Sequence, residues 1–231
     1  CQILYLSMFA TIMNGTMTPA TPTDNKSGLR RLGVLGGTFD PPHIGHMLMA
    51  QCALETLTLE AVIFVPSGRP PHKDMDAVTP SDHRLNMVRL ATAHNPQFSV
   101  DDLELNAREK TYTIDTIQAL MAKHPDAEFF FLIGADSLIE LGSWMRIDEL
   151  LPLCRFIVFA RPGECVDEMR QRAAKLPQPW ATQLVQDIQT GHEINVSSTK
   201  VRQRVSRKQS IRYLVPVEVE AYITQHGLYR T

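Results

Sequence analysis

Gly33-Val34-Leu35-Gly36-Gly37-Thr38-Phe39-Asp40-Pro41-Pro42-His43-Ile44-Gly45-His46 runs from an apolar strand into a glycine turn, then through two prolines to paired histidines where a helix is expected. That order reads as an anion-binding corner at the carboxyl end of a strand. Gly36 and Gly37 permit a tight turn and let main-chain N–H groups approach a phosphate with no side chain in the way. Pro41 and Pro42 suit the change from strand to helix, because proline pre-sets φ and needs no N–H partner in a first turn. His43 and His46, three residues apart, share one face of that turn beside the positive end of the helix dipole. An isolated histidine pair is more often a surface or capping pair, but the adjacent glycines, Thr38 and prolines favour an anion. The glycine spacing fits neither G-x-G-x-x-G nor G-x-x-x-x-G-K-[ST], so dinucleotide-Rossmann and P-loop readings lose support. A metal pair needs further ligands, and no nearby Cys or carboxylate stands at recognisable spacing.

Outward from this corner, short apolar runs alternate with helical patterns from Arg30 onward, the signature of a parallel sheet covered by helices. Strands are expected at Leu32 to Gly36, Ala61 to Val65, Phe98 to Val100, Glu128 to Ile133 and Arg155 to Ala160, with a late strand around Glu193 to Val196. Helices are expected at Ile44 to Leu57, Ser81 to His94, Tyr112 to Lys123, from Asp136, at Ser198 to Val205, and from Pro216 to about Gln225 with Gly227 as the stop. The fold class is therefore α/β, a doubly wound parallel sheet. In such sheets the ligand crevice lies beyond the carboxyl ends of the strands, where strand order reverses.

With 231 residues, 44% of them apolar, the chain can fill a proper core. Its net charge of −2 argues against general nucleic-acid coating or a broad membrane-surface role, so anion binding must be local. No stretch approaches the roughly 20 apolar residues that span a bilayer. Four cysteines without C-x-x-C spacing read as reduced thiols of a cytoplasmic protein, and the same grounds disfavour structural zinc. Residues 3 to 13 imitate a signal-peptide core but lack a preceding Lys or Arg and a clear cleavage site. Residues 1–28 are expected to be an N-terminal extension, flexible or not native, and residues 29–231 the folded domain.

A second corner follows the late strand. Ser197-Ser198-Thr199-Lys200-Val201-Arg202 places hydroxyls at a helix start and a guanidinium one turn later, a set that suits an oxyanion. Lys200 to Arg212 holds six basic residues and no acidic one. Arg204, Arg207, Lys208 and Arg212 read as a solvated basic face, whereas Arg202 belongs to the cap.

Gly-Gly-Thr-Phe-Asp-Pro-Pro-His-Ile-Gly-His and the later Ser-Ser-Thr-Lys-Val-Arg resemble the HxGH nucleotidyltransferase superfamily. Pro70-Pro71-His72-Lys73, Tyr112-Thr113-Ile114-Asp115-Thr116 and Gly134-Ala135-Asp136-Ser137-Leu138, in that order, narrow the resemblance to the bacterial nicotinate-nucleotide adenylyltransferase family. It covers nearly all of Leu29 to Tyr229, and it implies a Rossmann-like nucleotidyltransferase fold. The implied reaction is AMP transfer from ATP to nicotinate mononucleotide, giving deamido-NAD and pyrophosphate in NAD biosynthesis. By this resemblance His43 and His46 contact the ATP phosphates with Arg202 in support, while Gly36, Gly37, Thr38 and Phe39 supply backbone contacts. Ser198 and Thr199 hold phosphates from the opposite wall, and Gly134 and Asp136 approach the nucleotide and its ribose. Asp136 also suits a helix N-cap.

The same resemblance gives Lys73 the role of a loop cation closing on phosphates, against an exposed mobile lysine. It places Tyr112, Thr113 and Trp144 around the nicotinate, where free N–H groups at a helix start suit a carboxylate better than a carboxamide. Trp144 is read as stacking on the pyridine ring, against plain core packing. Met145 stands where family members often carry an aromatic. Magnesium is expected with ATP, held mainly by phosphates and water, with no protein metal ligand. Phosphopantetheine adenylyltransferase is the alternative enzyme, though that family lacks the Tyr-Thr-x-Asp-Thr block. A class I aminoacyl-tRNA synthetase would be longer. A non-catalytic nucleotide-binding module on this fold would not need every charge-stabilising group. A homo-oligomer is compatible with all of these.

Overall fold

The structure, a computed structural model, describes residues 28–68, 78–105, 111–160, 165–190 and 194–230. The expected extension over residues 1–28 lies outside these apart from Gly28. Among the described residues, strands β1 (Arg30–Gly37), β2 (Ala61–Pro66), β3 (Phe98–Val100), β4 (Ala127–Gly134), β5 (Arg155–Ala160) and β6 (Ile188–Thr190) form one parallel sheet. Its order is β3-β2-β1-β4-β5-β6, so the direction of winding reverses between β1 and β4. The doubly wound α/β expectation holds.

Strand side chains alternate between two covered faces, which is why these segments read as continuous apolar runs. Leu32, Val34, Phe129, Phe131 and Ile133 point to one face. There they pack under α3 (Thr113–Lys123), α4 (Ala135–Glu140), α5 (Ile147–Leu150), α6 (Val166–Ala173) and α7 (Trp180–Gln186). Leu35, Val62, Phe64, Phe130 and Leu132 point to the other face, under α1 (Ile44–Thr56) and α2 (Ser81–Thr92). Along α1 and its C-cap, Ala50, Leu54 and Leu57 are buried, and Met47 packs beside them. A smaller cluster joins α2 to α8 (Ser198–Ser206) and α9 (Val217–Gln225) through Met87, Val201, Val219 and Ile223. Gly227 adopts φ +62 just after α9, the left-handed conformation that ends a helix and that glycine takes without strain.

The late strand lies elsewhere than expected. Ile188, Gln189 and Thr190 pair with Val158, Phe159 and Ala160, whereas residues 194–196 form no strand. The pairing is fixed by Asp187, buried at the head of β6, whose carboxylate accepts from the Arg155 guanidinium. The alternation Ile194-Asn195-Val196 imitates a strand, but Val196 packs into the small cluster and against the start of α1. Tyr112 is the N-cap of α3 rather than its first residue. Helices α6 and α7 carry no motif and were not expected.

Candidate active site

The β1–β4 ladder runs from Arg30↔Ala127 to Val34↔Phe131. Beyond that point β1 stays with β2 to Gly37↔Pro66, and β4 stays with β5 to Gly134↔Phe159. The two central strands thus part over their last three residues. A cavity of about 500 Å³ opens between Leu35-Gly36-Gly37 on one side and Leu132-Ile133-Gly134 on the other. This is the switch-point crevice that a doubly wound sheet offers a ligand.

His46 lines that cavity, and His43 lies behind it, buried, the two rings stacked with centroids 3.7 Å apart. His43 is the N-cap of α1, and its N–H donates to His46 Nδ1 at 3.1 Å. A ring nitrogen that accepts carries no proton, so the neutral His46 ring holds its proton on Nε2 and is a donor there. Gly45 is tightly set: a Cβ would meet His43 Nδ1 and Val196 Cγ1, each at 3.1 Å, so one of them would have to give by a few tenths of an ångström. Phe39 has φ +48 and turns its ring into the core, edge-on to His46 at 5.0 Å. Thr38, Phe39 and His43 are not among the cavity's lining residues; Gly36 and Gly37 are.

The second corner is bolted to the first. Ser198 Oγ donates to the Pro41 carbonyl at 2.8 Å, and the Arg202 guanidinium donates to the Asp40 carbonyl at 2.7 Å. Arg202 also reaches Thr199 Oγ1 at 3.5 Å, and Ser197 caps α8 by accepting the Lys200 N–H. Ser198, Thr199 and Arg202 therefore brace the signature loop from outside the cavity lining.

Three residues that the motifs do not single out hold this corner. Arg84 on α2 is 1% exposed and donates to four carbonyls, those of Thr38, Ser67, Gly68 and Thr79. Burial lowers its pKa from the ordinary guanidinium value, and the charge of Asp40 opposes that shift. Asp40 is buried, accepting from Tyr229 Oη at 2.7 Å and from the Thr79 N–H at 3.3 Å. Asp40 lies inside the recognised motif, but nothing local marks its partners. Arg84 and Tyr229 carry no signal short of the folded chain.

On the far side of the cavity stand Tyr112, Thr113, Glu104, Thr116, Trp144 and Met145. Trp144 is half-buried and meets Phe131 and Phe156 edge-on at 6.0 and 6.1 Å, so the core holds the ring that faces the cavity. The Tyr112 N–H donates to Asp115 Oδ2 at 3.1 Å, which leaves the next amides of α3 as donors for a ligand. Asp136 lines the cavity from the first turn of α4, whose N-cap is Gly134 and not Asp136. Lys73 lies outside the described residues. Among the described residues no group of three His, Cys, Asp or Glu side chains stands where it would hold a metal ion.

A family model for cytidylyltransferase-like proteins matches residues 34–204. The probable nicotinate-nucleotide adenylyltransferase of Halalkalibacterium halodurans is 45% identical over 204 residues, 88% of this chain and 93% of the relative. That of Trichlorobacter lovleyi is 40% identical over 87% of this chain and 99% of its own. Among solved structures, Plasmodium falciparum nicotinic acid mononucleotide adenylyltransferase complexed with NaAD superposes with a TM-score of 0.70 at 19% identity. It covers 87% of this chain and 97% of that one, a likeness of fold.

Proposed function

The chain belongs to the nicotinate-nucleotide adenylyltransferases of the cytidylyltransferase-like family, and from that premise we propose how its cavity joins AMP from ATP to nicotinate mononucleotide. The products are deamido-NAD and pyrophosphate, and the reaction belongs to NAD biosynthesis. The observation that carries the reading is the parting of β1 and β4, which sets His46 and the Gly36-Gly37 turn opposite Tyr112, Thr113 and Trp144 in one cavity.

The attacking group is the 5′-phosphate of nicotinate mononucleotide, already ionised near pH 7, so no general base is needed. Its oxygen bonds to the ATP α-phosphorus as the bond to the β-phosphate oxygen breaks, and pyrophosphate leaves. Holding two anions in line and stabilising charge on the transferring group is the task left to the protein. His46 Nε2–H donates to the α-phosphate, and the Gly36 and Gly37 backbone approaches the phosphates. Ser198, Thr199 and Arg202 fix the loop that presents His46, while Lys73 closes on the phosphates. Gly134 and Asp136 meet the AMP portion. The first amides of α3 receive the nicotinate carboxylate, and Trp144 covers the ring. Magnesium enters as the ATP counter-ion, held by phosphates and water, which suits its demand for oxygen ligands and retained water.

No described helix is long and apolar enough to cross a membrane. A cytoplasmic location is part of the proposal, supported by the free thiols of Cys52, Cys154 and Cys165. The deciding assay follows pyrophosphate release from MgATP with nicotinate mononucleotide, nicotinamide mononucleotide and phosphopantetheine in parallel. Release with the first alone, or fastest with it, is expected. No release with any acceptor would remove the proposal.

A further inference from the structure

Glu104 is an acidic side chain lining a cavity whose acceptor carries both a carboxylate and a phosphate. An ionised carboxylate does not favour such a ligand by contact, so its place there needs another account. Its hydrogen bonds supply one. Thr116 Oγ1 donates to Oε1 at 2.6 Å and Thr111 Oγ1 donates to Oε2 at 3.3 Å, both from the start of α3. The Gly68 backbone, at the exit of β2, stands close enough to the same carboxylate to favour its charged form. Burial pushes the Glu104 carboxyl above its ordinary range, while Thr116, Gly68, Thr111 and the charge of Arg84 draw it back.

The backbone is as tightly set as the side chain. A Cβ on Gly68 would lie 2.2 Å from the Glu104 carbonyl oxygen, so the β2 exit touches the turn carrying Glu104 with no side chain between them. That turn is pinned in its own right: the Asp101 N–H donates to the Phe64 carbonyl at 3.0 Å, and Lys123 Nζ donates to Asp101 Oδ2 at 2.6 Å. Arg84 grips the Ser67 and Gly68 carbonyls from the other side. Ser67, Tyr112 and Thr113, which line the cavity, are thus two walls held at a set distance through one carboxylate.

We propose that Glu104 is a positioning residue for the acceptor, a strut that sets the start of α3 against the exit of β2. This rests on the reading of Thr111 to Thr113 as the acceptor wall. A carboxylate suits the task because it only accepts, and every donor around it has a lone pair to meet. Glutamine at this position keeps one acceptor and turns the other oxygen into an NH2 group, which Thr116 or Thr111 can meet only by turning its hydroxyl away to accept, as Thr116 can toward the Tyr112 carbonyl at 3.3 Å.

The test is steady-state kinetics with MgATP and nicotinate mononucleotide, each varied against a saturating partner, on wild type, Glu104→Gln, Thr116→Val and Thr116→Ser. Glu104→Gln and Thr116→Val are expected to raise KM for nicotinate mononucleotide about tenfold, with KM for ATP and kcat within about twofold of wild type. Thr116→Ser keeps the hydroxyl and is expected to match wild type. Should Glu104→Gln not fold, Thr116→Val, which nearly keeps the volume and loses the hydroxyl, against Thr116→Ser, which keeps the hydroxyl and loses a methyl, carries the same comparison. Equal changes in both KM values, a fall in kcat alone, or a wild-type-like Thr116→Val would overturn the proposal while leaving the reaction intact. Wild-type protein that releases no pyrophosphate would overturn the reaction itself, and the strut with it.

Discussion

The phenol of Tyr229 donates a 2.7 Å hydrogen bond to Oδ1 of Asp40, joining positions 189 residues apart. The other oxygen of the same carboxylate accepts the Thr79 N–H, and the Asp40 carbonyl accepts from Arg202. One buried residue between β1 and α1 is thereby held by the C-terminal segment, the approach to α2 and the start of α8 together.

Tyr229→Phe removes that donor and leaves a buried carboxylate short of a partner. A hydrogen bond to a charged group contributes about 1.5–3 kcal/mol. In a chain of this size each kcal/mol shifts Tm by about 2–4 °C. Thermal unfolding is the check, and a Tm equal to wild type would show that the bond contributes nothing.

The same phenol bears on alkaline stability. Burial, then the charge and hydrogen bond of Asp40, raise the Tyr229 pKa above its ordinary value. The folded protein therefore keeps this proton at pH values where the unfolded chain, with a pKa of about 10, has lost it. Stability from this group is complete below about pH 10 and falls as pH rises beyond it. Denaturant titrations between pH 9 and 11, as about the range needed, should show a steeper loss for wild type than for Tyr229→Phe. Parallel profiles would contradict it.

Arg84→Lys keeps the charge but replaces a five-donor planar fork by a compact ammonium, which cannot meet four carbonyls in different directions. Unpartnered buried carbonyls are costly, so a loss of about 2–4 kcal/mol is expected, with reduced turnover because Ser67 lines the cavity and Thr38 follows its Gly36-Gly37 turn. Chemical denaturation and a pyrophosphate assay on one preparation read both effects.

His46→Ala should lower turnover by about 10² or more, as loss of one transition-state donor does elsewhere. Folding should survive, since the ring faces the cavity. Near-wild-type turnover in a folded variant would remove His46 from the reaction.

Gly45→Ala tests the stacked histidines without replacing either. The new methyl must displace the His43 ring or Val196 by a few tenths of an ångström. A displaced donor is expected to lower kcat about tenfold while moving Tm by under about 2 °C. Unchanged kcat would mean that the stack tolerates the shift.

The expected strands β1 to β5 and the paired histidines were legible because each is set within a few residues. A strand buried on both faces needs an apolar run, and two histidines three apart on a first turn must share a face. The misplaced late strand shows the limit of such local signals. Ile194-Asn195-Val196 alternates as a strand does, yet the ladder went to Ile188–Thr190, because Asp187 pairs with Arg155 on β5.

By itself the sequence determined the α/β class, the anion-binding corner at Gly36 to His46 and the family, all carried by short motifs whose geometry is local. Only the tertiary structure decided that β1 and β4 part after Val34 and Phe131 to make the cavity. It alone braced Ser198 and Arg202 against Pro41 and Asp40, and brought Arg84, Glu104 and Tyr229 into the site's support. The reason is physical: a buried charged group must find its partners wherever the fold supplies them, and those partners stand far away in the chain.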